Sequence, residues 1–282
     1  MSITHARFTT RKGIITSVGF AALVSLAYVG PAAAQAVAPP LGTAGGFAVL
    51  GTNELPTTGT ATCTTSTIDG NVGSTGNSIT DTGPCTITGD VVAPVTAAVV
   101  SDFDSAYAAV TTLNPVCTGV VPTTTTTLPP GVYCSPAGTT LGAGVTITLD
   151  GDADDVWVFR VGTGGLGALT GTGPNLQVVM GGTAQACNVY WWTAEGATMT
   201  NATFAGTVLA GTAAAMTGTS WEGRALATTD VTVTDSIISG CAASAPVPAS
   251  AQPIPTLGPG TLAGLIVLLA GMGLFTLRRR FV

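Results

Sequence analysis

A repeat of 17 residues in the C-terminal half of the chain constrains its fold more than any other feature. Glycines recur at Gly206, Gly223 and Gly240, and the residues ahead of them recur in the same order. Self-similarity at a fixed period of this length is typical of a solenoid, in which each turn of chain stacks on the previous one. Equivalent residues then form columns: Thr200, Thr217 and Thr234; Met199, Met216 and Val233; and Phe204, Trp221 and Ile238.

The composition agrees with a solenoid built of short strands. Among 282 residues there are 38 glycines, 46% hydrophobic residues and only 8% charged ones, which is unlike a disordered chain. A second repeat matches residues 67–72 with 86–91, and apolar side chains alternate in both segments. Alternation of this kind predicts strands with one face turned inward.

Residues 94–113 have a different pattern. Apolar residues recur there at steps of three and four before Asn114-Pro115, which predicts an amphipathic α-helix ended by proline. We expect its apolar stripe to pack against the flank of the solenoid. The stripe consists of Val95, Val99, Phe103, Ala106, Tyr107 and Val110.

Between the helix and the C-terminal repeat, the sequence predicts a loop and then more strands. Residues 123–127 and the following Pro129-Pro130 indicate an irregular loop. Apolar segments bounded by Gly, Pro or Asp predict strands at 139–149, 156–161, 176–180 and 188–192.

The six cysteines all lie between the two terminal segments. Because their number is even, we expect them to form disulfides if the chain is exported to an oxidising compartment. Six cysteines allow 15 connectivities, and free buried thiols are the alternative. Pairing of nearest neighbours would give Cys63–Cys85 and Cys117–Cys134 and leave Cys187–Cys241. Zinc ligation is disfavoured because no C-x-x-C motif or histidine accompanies the cysteines.

The N-terminal end predicts export. Residues 1–34 combine Arg7, Arg11 and Lys12 with an apolar stretch and an Ala32-Ala33-Ala34 cleavage motif, as in a secretory signal peptide. A permanent membrane anchor is the alternative interpretation of the same residues.

The C-terminal end predicts surface sorting. The motif Ile254, Pro255, Thr256 and Leu257 precedes an apolar run at 261–277 and then Arg278, Arg279 and Arg280. About 17 residues at 1.5 Å each span roughly 26 Å, which is close to the thickness of a bilayer core. This segment resembles the IPTL-type sorting signal of Gram-negative bacteria, which implies a membrane segment and an exosortase-like sorting enzyme as partner. A plain tail anchor is the alternative. Residues 242–253, rich in Ala, Pro and Ser, would be a linker.

Charge and residue content disfavour several functions. Without the two ends, only Arg160 and Arg224 balance 14 acidic residues, so nucleic acid and anionic membranes are poor partners. The sole histidine, His5, lies in the signal peptide, which excludes histidine-based nucleophilic catalysis in the exported chain. We therefore expect no enzyme, no cofactor and no metal site.

Four motifs that could indicate a function are better explained by structural roles. The glycines at 162, 164 and 167 match a dinucleotide fingerprint, but no helix follows, which favours a solenoid corner. The alternating aspartates at 150, 152 and 154 fail the calcium-loop pattern beyond position five, which favours a solvated turn, with an incidental calcium site as the alternative. A glycosidase pair at Asp154 and Asp155 is a remote alternative. The tryptophans at 191, 192 and 221 could stack on sugars, but packing in the core is preferred.

Several motifs taken together resemble a known family. They include the segments 41–50, 86–91, 128–133, 149–151, 156–162, 181–191 and 223–227. In this order they resemble the ice-binding-like proteins, a family of β-solenoid antifreeze proteins, over residues 41–241. The resemblance implies a mainly β fold: a discontinuous right-handed β-helix of triangular cross-section, with one long α-helix packed alongside.

The resemblance also implies that a flat, threonine-rich solenoid face adsorbs to ice or to ordered water. The expected contacts are the steps 200–203, 217–220 and, more weakly, 234–237, and a second ladder one corner away is the alternative. The sequence departs from the family's pattern at two positions. Asp235 places a charge at the edge of this surface, and Ala215 interrupts the column of Thr198 and Thr232. The candidate residues are Thr200, Thr203, Thr217, Thr219, Ser220 and Thr234, with Thr193, Thr212 and Thr229 in the second ladder.

The sequence therefore predicts an exported or surface-sorted protein that adsorbs to ice without catalysis. Threonine suits this role because its β-branched side chain has few rotamers, so that an array is ordered before contact. Threonine is also simply a good strand former, so a structural or adhesive surface module without ice affinity is the alternative.

Overall fold

The computed structural model describes residues 35–53, 59–163 and 165–241. These residues form a mainly β structure of parallel strands with one α-helix, α1 (Ala97–Leu113), and two short 3-10 helices, Gly42–Gly46 and Ala186–Asn188. The strands in chain order are β1 (Phe47–Gly51), β2 (Ala61–Thr64), β3 (Thr67–Asp69), β4 (Asn71–Ser74), β5 (Thr80–Asp81), β6 (Thr86–Ile87), β7 (Val91–Val92), β8 (Gly119–Val120), β9 (Thr126–Leu128), β10 (Gly131–Ser135), β11 (Thr139–Leu141), β12 (Thr146–Gly151), β13 (Trp157–Val161), β14 (Leu169–Gly182), β15 (Val189–Thr193), β16 (Ala197–Ala210), β17 (Ala214–Thr217), β18 (Ser220–Ala227), β19 (Val231–Thr234) and β20 (Ile237–Ser239).

The strands stack in three parallel columns, so each turn of chain forms a rung with three sides. The helix-covered face contains β8, β10, β13, β15, the ends of β16 and β18, β1, β4 and β7. The threonine face contains β11, the starts of β14 and β16, β17, β19, β2 and β5. The third face contains β9, β12, the end of β14, the middle of β16, the start of β18, β20, β3 and β6.

The order of the rungs differs from the order of the chain. The strands β1, β2 and β3 pair with β18, β19 and β20, so the N-terminal rungs continue the stack where the C-terminal rungs end. The helix α1 then connects this end of the stack to β8, at the other end. Residues 170 apart in sequence, such as Thr64 and Thr234, thereby become direct neighbours.

Glycine forms the corner between the third face and the helix-covered face. Gly206 and Gly223 are paired in register and have φ angles of 115° and 150°, in the region that favours glycine. A Cβ atom on Gly223 would collide with the carbonyl oxygen of Gly206. The 17-residue glycine period of the sequence is therefore the period of this corner, which Gly240 and Gly70 continue.

The columns predicted from the repeat are confirmed. Met199 pairs with Met216 and then Val233, and Phe204 pairs with Trp221 and then Ile238; all six side chains are buried. The aromatic members of the core continue through Trp191 and Phe159, whose rings stack with centroids 3.8 Å apart. Continuous columns of this kind bury apolar area along the whole length of the stack.

The predicted helix is confirmed, although it begins at Ala97 rather than at residue 94. Val99, Phe103, Ala106 and Val110 are buried on its inner side, as the periodicity predicted. The Tyr107 hydroxyl donates a hydrogen bond of 2.9 Å to the carbonyl oxygen of Thr193, at the end of strand β15. The helix therefore covers one face.

Two local predictions were wrong. The segment predicted as an irregular loop contains strand β9, because Thr126–Leu128 pairs with β12 on the third face. The single strand predicted at 139–149 is two strands on different faces, β11 and β12, separated by a turn at Gly144, which has a φ of 73°. Both errors arise because short strands and turns use the same Gly- and Thr-rich residues.

All three disulfides follow the nearest-neighbour prediction: Cys63–Cys85, Cys117–Cys134 and Cys187–Cys241. The predicted signal peptide, the linker and the sorting motif lie outside the described residues. Within the part of the chain that the structure describes, no helix has the length and apolar character to cross a membrane.

Candidate functional site

Two columns of threonine cover the outer side of the threonine face. Strand register aligns them, because every second residue of each strand points outward. The first column holds Thr140, Thr170, Thr198, Ala215, Thr232, Thr62 and Thr80, and the second holds Thr172, Thr200, Thr217, Thr234 and Thr64.

The two columns form a regular grid. Neighbouring strands lie about 4.8 Å apart and outward residues of one strand about 6.7 Å apart, so seven strands extend roughly 29 Å along the stack. Threonine residues therefore present a methyl group and a hydroxyl group at nearly constant intervals in both directions. A periodic array of this kind matches a periodic solid better than it matches a single small molecule.

The hydroxyls of the array are available to a partner. Thr64 and Thr82 share a hydrogen bond of 2.6 Å between their hydroxyls, which extends the second column by one rung. Among the described residues, the other threonines of the two columns make no side-chain hydrogen bond to protein. Their β-branched side chains are nevertheless restricted, because strand geometry leaves few rotamers.

The array contains one gap and no charge. Ala215 lies between Thr198 and Thr232 in the first column, as the sequence suggested. Asp235 lies outside the columns, at the corner next to Thr234, where it adopts a left-handed φ of 47°. Asn201, at the equivalent corner, has a φ of 51°, so left-handed residues recur at this corner of the stack.

The structure divides the predicted site residues between several places. Thr200, Thr217 and Thr234 lie together in the second column, exposed or half-buried. Thr203 and Ser220 also point outward and are neighbours, but they lie around the corner on the third face. The steps predicted from the sequence therefore straddle two faces.

The prediction was wrong for Thr219, which is only 3% exposed. Its hydroxyl and its backbone N–H lie 3.1 and 3.0 Å from the hydroxyl oxygen of Ser236, inside the corner. The hydroxyl of Ser66 continues this ladder by accepting the backbone N–H of Ser236. These side chains form hydrogen bonds with buried polar groups and are not part of the exposed surface.

The prediction of a second threonine ladder was also wrong for Thr193, which is fully buried and pairs with Ala210. Its hydroxyl donates to the carbonyl oxygen of Glu195 at 2.7 Å. Thr212 and Thr229 are linked by a backbone hydrogen bond of 3.2 Å, but they lie in turns between the helix-covered face and the threonine face. They flank the array rather than belong to it.

The third face is chemically mixed. Its outward positions carry Glu222 and Asp69 as well as Ile237, which is 56% exposed. A groove of about 470 Å³ lies there beside Cys241 and is lined by Glu222, Thr203 and Ser220. No group of three or more possible metal ligands is present in the described ranges. This face lacks the repetition of the threonine face.

The helix-covered face is occupied by the protein itself. Phe103 and Val110 of α1 pack there in one cluster with Leu50 and Leu226. Both arginines of the described residues point to this side: the Arg160 guanidinium donates to the carbonyl oxygen of Asn114 at 2.9 Å, and that of Arg224 to Gly45 at 2.9 Å. Burial lowers the pKa of Arg224 from its usual value, and the nearby Tyr190 raises it. No cation therefore lies within the threonine columns.

A sequence model of the ice-binding-like family matches residues 49–239, which includes most of all three faces. The chain belongs to the ice-binding-like family. It is 31% identical over 217 residues to ice-binding protein K1-A of Typhula ishikariensis, a match covering 66% of this chain and 83% of that protein.

Two further matches come from a bacterium and from another fungus. Ice-binding protein 1 of Shewanella frigidimarina is 45% identical over 86 residues, but the match covers only 29% of this chain and 9% of that protein. The crystal structure of the ice-binding protein of the Antarctic ascomycete Antarctomyces psychrotrophicus superposes with a TM-score of 0.59 at 27% identity, covering 71% of this chain and 97% of that one.

Sequence reasoning found only part of this family member's threonine array. It missed Thr62, Thr64 and Thr80, which join the array from the N-terminal rungs, and Thr140, Thr170 and Thr172 on the earlier rungs. One signal was available, because a T-x-T triplet occurs in most of these strands: 62–64, 170–172, 198–200 and 232–234. The period of 17 hid the pattern, since the other rungs differ in length.

Proposed function

We propose that this chain adsorbs to ice through the threonine face and thereby limits the growth and recrystallisation of ice crystals. The observation that carries the proposal is the uncharged grid of two threonine columns, the first across seven strands and the second across five. Membership in the ice-binding-like family supports it, because the named relatives are ice-binding proteins.

The physical basis is preorganisation. A single hydroxyl contact contributes little against competing water, so affinity for ice must come from many contacts made together. The strand grid fixes the positions of the threonines and their β-branching limits their rotamers, so little conformational entropy remains to be lost on adsorption. A charged side chain would instead order water around itself, and none lies in the columns.

The decisive test measures thermal hysteresis and ice recrystallisation of the exported chain and of Thr217→Tyr. Thr217 lies exposed near the middle of the second column, so a tyrosine there would hold the array away from a flat crystal. We expect about a tenfold loss of activity, equivalent to ~1.4 kcal/mol of adsorption free energy.

The matched control is Thr203→Tyr. Thr203 is exposed on the next face of the same strand β16, so its replacement carries the same cost to the fold without touching the columns. Equal losses in the two variants would reject the threonine face as the site. Absence of activity in the unaltered chain would favour a structural or adhesive surface module.

We also infer the finer organisation of the chain. Residues 1–34 act as a signal peptide, 41–241 form the ice-binding-like domain, 242–253 are a linker, and 254–282 are a sorting signal recognised by an exosortase-like enzyme. The order of the terminal motifs and the three disulfides support export to the cell surface or beyond. Mass spectrometry of the exported chain would locate both cleavage sites.

The fold itself is inferred to be a discontinuous right-handed β-solenoid. The pairing of β20 with β3 supports the discontinuity. Right-handedness is supported by the rule that about 98% of crossovers between parallel strands of one sheet have this hand.

A further inference from the structure

The chain leaves the described domain at a defined corner. Cys241 follows strand β20 and Gly240, whose backbone N–H donates to the carbonyl oxygen of Asp69 at 2.8 Å. This position continues the glycine corner between the third face and the helix-covered face. In a rung of three sides, that corner lies opposite the threonine face.

Several interactions fasten this exit point. Cys241 forms a disulfide with Cys187, which precedes strand β15 at the same corner of another rung. The guanidinium of Arg224 lies 3.4 Å from the carbonyl oxygen of Cys241 and donates to that of Gly45 at 2.9 Å. Arg224 is itself only 4% exposed. The exit point is therefore held covalently and by buried hydrogen bonds.

The other end of the described domain also lies away from the threonine face. Ala36 is buried in the same cluster as the helix residues. The backbone N–H of Val37 donates to the side-chain oxygen of Asn114 at 2.8 Å, immediately after the end of α1. Neither end of the domain crosses the array.

We propose that the chain, when it is held at a membrane or cell surface by its C-terminal segment, presents the threonine face outward and attaches that surface to ice. This inference rests on the proposed adsorption to ice, and it adds a function in adhesion. The arrangement fits this function because a tether at the corner opposite the array leaves the array uncovered. The Cys187–Cys241 disulfide would pass a pulling force from the tether to a second rung.

The first experiment attaches beads at two alternative points of the exported chain. All six cysteines are paired, so a new cysteine would be the only free thiol. Ser244→Cys places the attachment beyond the exit corner, and Thr198→Cys places it within the first column. At equal surface density, we expect growing ice to incorporate Ser244→Cys beads at least tenfold more than Thr198→Cys beads.

A control distinguishes the effect of the attachment point from the effect of the cysteine substitution itself. Both variants are assayed for thermal hysteresis before coupling, and the bead result is expressed relative to that activity. Equal incorporation of the two kinds of bead would overturn the proposed orientation. The same conclusion would follow if Ser244→Cys beads were excluded from ice while the uncoupled variant remained active.

The second experiment uses the natural tether. The full-length chain is reconstituted through its C-terminal segment into phosphatidylethanolamine–phosphatidylglycerol vesicles, and the fraction of vesicles captured by a growing ice hemisphere is measured. We expect capture with the unaltered chain and with Thr203→Tyr, and about tenfold less with Thr217→Tyr. Vesicles excluded from ice by a chain that is active in detergent would overturn the adhesive function but leave adsorption intact. A chain inactive in both states would overturn the proposed function itself.

Discussion

The threonine face and the third face are made by the same rungs, yet they differ in the uniformity of their side chains. Strand β16 contributes Thr198 and Thr200 to one face and Thr203 to the other. The threonine face repeats one residue type with a single alanine, whereas the third face mixes threonine with Glu222, Asp69 and Ile237. Because the two faces share one backbone grid, the proposed site differs from the third face only in the repetition of one uncharged side chain on that grid.

The largest effect is expected from breaking the scaffold that both faces share. In Gly223→Ala, the new Cβ would meet the carbonyl oxygen of Gly206, at a φ of 150°. We expect a loss of about 3 kcal/mol or more in the free energy of unfolding, because backbone cannot move aside as a flexible side chain can.

Thermal unfolding followed by circular dichroism measures this loss. The matched control is Gly142→Ala, where an added Cβ meets nothing within 4 Å. Equal stability of the two variants would show that the glycine corner is not required, and that the two faces do not depend on it.

The second-largest effect is expected from a new charge, which should reduce activity on the threonine face but not on the third face. Thr232→Asp places a carboxylate within the first column, whereas Thr67→Asp places one on the third face, beside Asp69. We expect the first variant to lose about tenfold in thermal hysteresis and the second to change little, since a carboxylate orders water around itself. A loss confined to Thr67→Asp would assign the activity to the third face.

Alkaline pH should weaken the packing of helix α1 on the helix-covered face. Burial raises the pKa of Tyr107 from its usual value of 10.0 to about 12. The folded state therefore keeps a proton that the unfolded state loses, so stability is complete below about pH 10 and falls as the pH rises toward 12. Because the ring is partly exposed to solvent, the expected loss in the free energy of unfolding is on the order of 1 kcal/mol.

Tryptophan fluorescence provides the measurement for this loss, because the ring centroid of Trp192, one of four tryptophans, lies 5.3 Å from that of Tyr107. Tyr107→Phe should lower stability slightly at neutral pH, through loss of the hydrogen bond to Thr193. It should also reduce the alkaline dependence to the contribution of Tyr133 and Tyr190, whose pKa values burial also raises. An unchanged dependence in that variant would mean that another group titrates.

The smallest effect should come from completing the array. Ala215→Thr fills the one gap in the first column, between Thr198 and Thr232. One further contact among many should raise thermal hysteresis by less than about twofold. The comparison with Ser239→Thr, at an exposed position of the third face, checks specificity, and a gain there alone would contradict the assignment of the face.

Much of this fold could be predicted from the sequence, because the 17-residue repeat reports directly on register. The columns of Met199 and Phe204, the helix and the disulfide pairing were all confirmed. Membership in the ice-binding-like family was confirmed by the match over residues 49–239.

The array was harder to predict for two physical reasons. Rungs of unequal length shift the spacing, so Thr170 and Thr172 do not align with Thr198 and Thr200 by counting. Threonine and serine also serve inside corners, where Thr219 and Ser236 satisfy backbone groups, and sequence does not distinguish these from surface positions. Strand register is needed to distinguish threonines inside a corner from threonines on the exposed face.

The junction of β2 with β19 gives the array a seam between the two ends of the domain. Thr64 and Thr234 lie side by side although nearly the whole domain separates them in synthesis. A nascent chain holding only the first rungs therefore possesses a fragment of the grid, and the last residues of the domain join the two fragments. Assembly of the full surface must wait until the ribosome has released those residues, and a truncation at either end would leave an interrupted lattice.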